Sequence, residues 1–146
     1  MNIESGYFIA LVLVGLVLLV VALVAIFYKP GKRLNVNCNF KSDNDNLNKS
    51  IIEVFVENVG KKQVKMLFPY VKFSSTSSSK LFQLNSEKVN CRFPNIIKKG
   101  EKLNFEVDIS QYINILKKQS FESTHVRVVI EDTVGLKFKS HNLDFD

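Results

Sequence analysis

The first pattern along the chain is an uninterrupted apolar run, from Tyr7 to Tyr28, that contains no charged residue. As a helix, its 22 residues would extend roughly 33 Å, about the thickness of the hydrocarbon core of a bilayer. Aromatic residues stand at both ends of the run, as is typical of membrane interfaces: Tyr7, Phe8, Phe27 and Tyr28. The pattern predicts an N-terminal tail and transmembrane helix over 1–28, with the span at about 7–28.

A cleaved signal peptide is the main alternative, because "VVA" and "LVA" near the end of the run are tolerable cleavage patterns. Two features favour a retained anchor. No Lys or Arg precedes the run, and its apolar core is longer than that of a typical signal peptide.

Beyond residue 33 the pattern changes to short segments in which apolar and polar residues alternate, as they do in half-buried β-strands. "LNVNCNF" and "SIIEVFVEN" follow this rule, and "VGKKQ" predicts a turn that joins the second segment to "VKMLFPYVKF" in a hairpin. Pro69 cannot donate a ladder hydrogen bond. The strand that contains it is therefore expected at an edge, at a bulge, or at a switch between two sheets.

The later segments continue the alternation. "SSTSSSK" predicts an exposed loop before a short strand, "KLFQL", and "IIKKGEKLNFEVDI" predicts a turn at Gly100 before a long alternating strand. Ser110 is a candidate cap for a short helix in "SQYINILKK". "HVRVVIED", "TVGL" and "KFKSHNLDF" predict a closing hairpin.

About seven short strands with little helix predict an all-β, immunoglobulin-like sandwich over 34–146, after a basic juxtamembrane linker at 29–33. The order of these strand pairs resembles that of small single-pass bacterial membrane proteins with an immunoglobulin-like domain of unknown function. The resemblance lies in three turns: Asn58 with Gly60, Gly100 with Glu101, and Asp132 with Gly135. It implies a fold and brings no catalytic residues.

The distribution of charge predicts how the protein is oriented in the membrane. All 20 Lys and Arg residues follow Tyr28, together with 13 of the 14 acidic residues, so this part of the chain carries a net charge of +7. Basic residues flank the apolar run only on its C-terminal side, which predicts a cytoplasmic domain on a single-pass plasma (inner) membrane protein. Lys29, Lys32 and Arg33 are candidates for binding anionic lipid head groups.

Motifs for catalysis or metal binding give little further indication of function. The sequence contains none of the phosphate-binding loops, nucleophile elbows or zinc motifs of common enzyme classes. Glu131 and Asp132 would point to opposite faces of a strand, and His125 and His141 lack the spacing of a structural metal site. Basic residues are not interleaved with aromatic residues as in nucleic-acid recognition motifs. We expect a non-enzymatic protein with no metal or cofactor, and we do not expect nucleic acid as a partner.

The remaining expectation is an interaction or scaffold protein whose β domain binds a protein partner or a second copy of itself through an exposed strand. The candidate surface is the strand interrupted by proline, beside the loop at 74–79. Its six candidate contact residues are Val64, Met66, Phe68, Pro69, Tyr70 and Phe73.

Two alternatives stay open. In the first, the β domain senses a small anionic signal, such as a nucleotide, and the helix oligomerises through Gly6, Ala10 and Gly15. In the second, the domain is an extracytoplasmic component of an envelope assembly. The second alternative predicts a disulfide between Cys38 and Cys91, whereas a cytoplasmic domain keeps both as thiols.

Overall fold

The structure is a computed structural model that describes residues 3–27, 31–41 and 51–145. The chain divides into two compact units, Met1–Pro30 and Gly31–Asp146. The first unit holds one helix, α1 (Ile3–Phe27), as the apolar run predicts. Its segment Gly6–Val24 is long and apolar enough to cross a membrane, and none of that segment is buried against protein.

The second unit is mostly β, as predicted from the alternation. Its described residues form one further helix, α2 (Ser110–Lys118), and ten short strands where about seven were expected. The strands are β1 (Leu34–Phe40), β2 (Ile51–Asn58), β3 (Val64–Met66), β4 (Tyr70–Ser74), β5 (Ser79–Gln83), β6 (Asn95–Ile97), β7 (Lys102–Asp108), β8 (His125–Glu131), β9 (Lys137–Lys139) and β10 (Leu143–Asp144).

The strands form three antiparallel sheets. One has the order β1-β2-β7, the second has the order β10-β8-β4-β5 with β9 also paired to β8, and β3 pairs with β6 in the third. Alternate side chains of β1, β2, β4 and β8 are buried in one hydrophobic core. The core also joins the sheets through ring contacts, since Phe145 lies 5.5 Å from Phe40 and 6.2 Å from Phe73 between ring centroids.

Pro69 marks a switch between sheets, which is one of the three outcomes expected for it. The chain pairs with β6 up to Met66 and enters the five-stranded sheet at Tyr70. Pro69 lies between these strands, where no amide donor is required, and its carbonyl accepts a hydrogen bond from the Leu84 amide at 2.9 Å.

The hairpin predicted from "VGKKQ" is wrong. β2 pairs with β1 on one side and β7 on the other, so it has no free edge left for β3. The turn between β2 and β3 instead leads out of one sheet and into another. The prediction failed because a short polar turn specifies a reversal of the chain, whereas the pairing partner depends on residues distant in sequence.

Other local predictions are confirmed or corrected. β8 and β9 form the expected closing hairpin, and the predicted serine loop joins β4 to β5. Gly100 and Gly135 occupy turns with φ of 77° and 84°, which glycine adopts without strain. Ser110 is not a cap: it is the first residue of α2, and its amide donates to the Asp108 carboxylate at 2.9 Å.

Candidate functional site

The chain that follows α1 in sequence is built into the β domain from Gly31 onward. The Gly31 carbonyl accepts hydrogen bonds from the amides of Lys61 and Lys62 at 2.9 and 2.8 Å. The Arg33 carbonyl accepts from the amides of Val59 and Gly60, both at 3.1 Å. Three of the five residues expected to form a linker at 29–33 are therefore fixed to the turn between β2 and β3. Lys29 lies outside the described residues.

Asn58 and Gly60 shape this turn. The Asn58 side chain is buried, and its amide group donates to the carbonyls of Lys62 and Ile97 at 2.9 and 3.0 Å. Gly60 is required by close approach, because a Cβ atom there would lie 2.6 Å from the Arg33 nitrogen and 2.9 Å from the Gly31 oxygen. The turn predicted at Asn58 and Gly60 thus holds the segment from Gly31 to Arg33.

A buried ion pair adds to these main-chain bonds. Lys32 Nζ lies 3.0 Å from Asp132 Oδ2, and the Asp132 side chain is fully buried. The other carboxylate oxygen, Oδ1, accepts hydrogen bonds from the amides of Val134 and Leu136, each at 2.9 Å. Burial acts to raise the pKa of Asp132, but the hydrogen bonds from Lys32 and the two amides outweigh it and hold the pKa below its usual value.

This pairing corrects one predicted role. Lys32 was a candidate for binding lipid head groups, but its ammonium group is directed to Asp132 inside the domain. Arg33 remains exposed. The pair could not be predicted from the sequence because the two residues lie 100 positions apart. The one available signal was an Asp before "TVGL", a position from which a carboxylate often bonds amides of its own turn.

We call this part of the domain the tethered end, and it comprises 31–33, 57–62, 97–102 and 131–137. Hydrogen bonds join its segments, since the Asn58 main chain pairs with Gly100 and Glu101 and Lys32 reaches Asp132. Eight basic residues against four acidic ones give this end a net charge of +4. Three large apolar side chains on its turns are exposed: Val59 at 50%, Leu136 at 45% and Val134 at 68%.

The predicted partner surface is largely inside the domain. Val64, Met66 and Phe73 are fully buried, and their side chains belong to the core. They were proposed from a strand expected to be exposed, but β3 pairs with β6, and β4 lies between β5 and β8. Of the remaining candidates Pro69 is also buried, and Phe68 and Tyr70 are half-buried.

Within the part of the chain that the structure describes, the neighbouring strand β5 pairs with β4 alone and therefore provides an edge instead. The Ser75 amide donates to the Ser78 carbonyl, and the Leu84 amide donates to the Pro69 carbonyl. These two bonds, at the two ends of the β4–β5 ladder, define which residue pairs are hydrogen-bonded. In an antiparallel ladder, hydrogen-bonded and non-hydrogen-bonded residue pairs alternate. Leu81 belongs to a non-hydrogen-bonded pair, so its amide and carbonyl point away from β4. The Leu81 side chain is also 53% exposed.

The membrane-anchor candidates lie on α1. Tyr7 and Phe8 are exposed at 72% and 70%, as lipid-facing side chains would be. Phe27 ends the helix, its side chain is not described, and Tyr28 lies outside the described residues.

The predicted helix-contact residues do not share one face. Gly6 and Ala10 are one turn apart, but Gly15 lies about 140° around the axis from Ala10 at ~100° per residue. No neighbouring atom lies within 4 Å of a Cβ built at Gly6 or Gly15. A single close helix–helix contact could therefore use Gly6 with Ala10, or Gly15, but not all three.

Both cysteines are free thiols in the structure. Cys38 is buried and donates a hydrogen bond to Ser140 Oγ at 3.0 Å, and Cys91 is half-buried. Burial raises the pKa of the Cys38 thiol more than its hydrogen bonds with Ser140 and Val128 lower it. Cys38 is therefore held as a neutral thiol in the core, where it packs as a small apolar side chain.

Among the described residues there is no group of three or more His, Cys, Asp and Glu that could hold a metal ion. His125 Nδ1 contacts the Asp144 carboxylate at the exposed start of β8. The Ser123 hydroxyl lies 3.0 Å from the His125 carbonyl and 3.3 Å from the Ser74 carbonyl, so its proton is donated to the main chain. The pair forms a surface ion pair when the histidine is protonated.

No protein-family model matches the chain, and no curated protein matches it. Among solved structures, the chain is similar to one titled "X-ray structure of Northeast Structural Genomics Consortium target SoR45", at 8% identity and a TM-score of 0.38. The match covers 79% of this chain and 87% of that one.

Proposed function

We propose that the protein is a non-enzymatic interaction protein that is held at the plasma membrane by one transmembrane helix, α1. Its β domain, of the immunoglobulin-like type, lies in the cytoplasm and binds an extended segment of a partner protein. The observation that carries the proposal is the open edge of β5, where the main chain of Leu81 faces outward beside an exposed apolar side chain.

The edge matches the requirements of strand addition. A peptide that extends a sheet gains affinity from main-chain hydrogen bonds and specificity from alternate side chains. β5 offers outward main-chain groups at Ser79 and Leu81, while the Gln83 carbonyl is already bonded to the Tyr112 hydroxyl at 3.4 Å. The available edge is short, so it suits a peptide held by a few bonds and by contact with the Leu81 side chain.

The inner face of β5 is fixed by packing, which keeps the edge in place. Phe82 lies 5.8 Å from Phe73 and 5.0 Å from Tyr112 between ring centroids. Lys80 bonds the side chain of Gln119, and its ammonium group lies 5.2 Å from the centre of the Phe121 ring. A strand anchored in this way is a rigid template, and a partner does not have to order it on binding.

The test uses a photo-crosslinking residue at Ser79 in the full chain, expressed in native membranes. We expect discrete adducts that disappear with Leu81→Pro, because proline removes the outward amide without removing a bond to β4. Two variants at Phe55, on the inner strand β2, serve as matched controls. Phe55→Lys should retain the adducts, whereas Phe55→Pro should unfold the sheet. If the adducts persist in a folded Leu81→Pro protein, strand addition at β5 is wrong.

A further inference from the structure

We propose that the tethered end of the β domain is a membrane-docking surface, which sets Val134, Leu136 and Val59 among the head groups of an anionic bilayer. The proposal rests on the membrane anchor proposed above, but it does not depend on strand addition at β5. It assigns a role to exposed side chains that the core and the β5 edge leave unexplained.

The turn that carries Val134 and Leu136 is fixed from the inside. Asp132 Oδ1 accepts the amides of both residues at 2.9 Å, and the Asp132 carbonyl accepts the Gly135 amide at 3.1 Å. With their main-chain donors held inward, the two side chains project into solvent at 68% and 45% exposure. The free energy falls when an interface removes apolar side chains in this position from water.

Among the residues that the structure describes, the tethered end also carries positive charge that no ion pair neutralises. Within the described residues, Lys61, Lys62, Lys98 and Lys99 are exposed and make no ion pair. The four acidic residues of the tethered end all have partners: Asp132 with Lys32, Glu101 with the Lys98 amide at 2.7 Å, and Glu57 and Glu131 with Lys102 and Lys137 at 3.9 Å.

An anionic lipid surface fits this arrangement better than another protein does. The apolar side chains stand on separate turns with lysines among them, as in interfacial membrane binding, whereas the centre of a protein interface is depleted of charge. Only residues 28–30 separate Phe27 from Gly31 in the sequence. If α1 spans the bilayer, the first part of the domain to follow it is this end.

The test exploits the absence of tryptophan from the chain. The full chain carrying Val134→Trp is reconstituted in vesicles of phosphatidylcholine with or without phosphatidylglycerol, with bromine on the acyl chains as a quencher. We expect blue-shifted, quenched emission that is stronger with phosphatidylglycerol. Phe55→Trp, on an exposed position of an inner strand, should report water in both lipids. Leu136→Trp serves as a second reporter if Val134→Trp fails to fold.

Charge reversal separates docking from a chance contact. Lys61→Glu with Lys62→Glu should lower the equilibrium constant for docking by at least about fivefold for each lysine lost, as expected for basic residues near an anionic surface. The matched control is Lys117→Glu with Lys118→Glu, two exposed neighbours at the end of α2, which should leave quenching unchanged.

Three results would overturn the proposal. In the first, the emission of Val134→Trp and Leu136→Trp indicates as much exposure to water as that of Phe55→Trp. In the second, quenching depends neither on the lipid charge nor on the lysines. In the third, quenching occurs only at high protein density, which would indicate contact with a second copy of the chain. Failure of the anchor is recognised separately, because alkaline extraction would then release the chain from the vesicles. A negative result in the crosslinking experiment at β5 would not change the interpretation of these measurements.

Discussion

Asp132 combines two functions at the scale of a single residue. One carboxylate oxygen binds two amides of its own turn, and the other binds Lys32, which belongs to the segment that follows α1. A fully buried carboxylate is tolerated because each oxygen has a charged or amide donor. The same residue therefore fixes the exposed turn at 134–136 and the start of the β domain.

We predict that Lys32→Met lowers the free energy of unfolding by about 1–3 kcal/mol at pH 7, because it leaves one oxygen of a buried carboxylate without its donor. The matched control is Lys137→Met, whose partner Glu131 lies 3.9 Å away at the surface, and the expected loss there is about 0–1 kcal/mol. Urea unfolding of the purified chain measures both. Equal losses in the two variants would contradict the buried pair.

The pH dependence of this effect has a definite sign. The folded pKa of Asp132 lies below its unfolded value near 3.9, so its ionised form stabilises the fold above that pH. The contribution is lost as the pH falls through the folded pKa. The difference between the native chain and Lys32→Met should therefore shrink in acid, whereas a difference that grows below pH 4 would show that the lysine stabilises the fold by another route.

At the scale of elements, the turn between β2 and β3 replaces the predicted hairpin. Its residues form no ladder between the two strands, and its amides are directed to the carbonyls of Gly31 and Arg33. The turn thus binds the segment 31–33, where the chain enters the domain. Gly60 permits this contact because it brings no Cβ into the space of the Arg33 nitrogen.

We predict that Gly60→Ala destabilises the domain by roughly 1–3 kcal/mol, the range for overpacking at a well-packed site. The amides of Lys61 and Lys62, which donate to Gly31, should also exchange hydrogen faster, because the contact opens first at the substituted turn. Lys61→Ala is the control, with an expected change within about 0.5 kcal/mol. Unchanged exchange in a destabilised Gly60→Ala protein would place the strain elsewhere.

Local features of this fold could be predicted from sequence, and long-range ones could not. Alternation located the strands, proline marked the sheet switch at Pro69, and glycine marked the turns at Gly100 and Gly135 because each effect acts within a few residues. The partners of β2 and the pairing of Lys32 with Asp132 depend on chain segments far away. The expected exposure of Val64 and Phe73 was wrong for the same reason, because their burial depends on neighbours that local patterns do not reveal.

At the scale of the whole molecule, the proposed topology is directly testable. We predict that the intact mass of the membrane-bound protein retains residues 1–28, that a reporter fused after Asp146 lies inside the cell, and that no disulfide forms. A membrane-impermeant maleimide should therefore label neither thiol in intact cells. After permeabilisation half-buried Cys91 should react before Cys38, which the core protects. A shortened chain would indicate a signal peptide, and an external reporter with linked cysteines would indicate an envelope component.

The attachment of Gly31 and Arg33 also determines how the domain responds to mechanical force. A pull on the chain from its N-terminal side reaches β1 only after it has acted on four main-chain hydrogen bonds and on the Lys32–Asp132 pair. The main-chain bonds connect Gly31 and Arg33 to consecutive residues of one turn, and the ion pair connects Lys32 to Asp132, so this attachment must yield before the tension reaches β1. Forced unfolding depends on the height of the first barrier rather than on total stability. The domain should therefore withstand tension applied at this terminus better than its small core alone would allow.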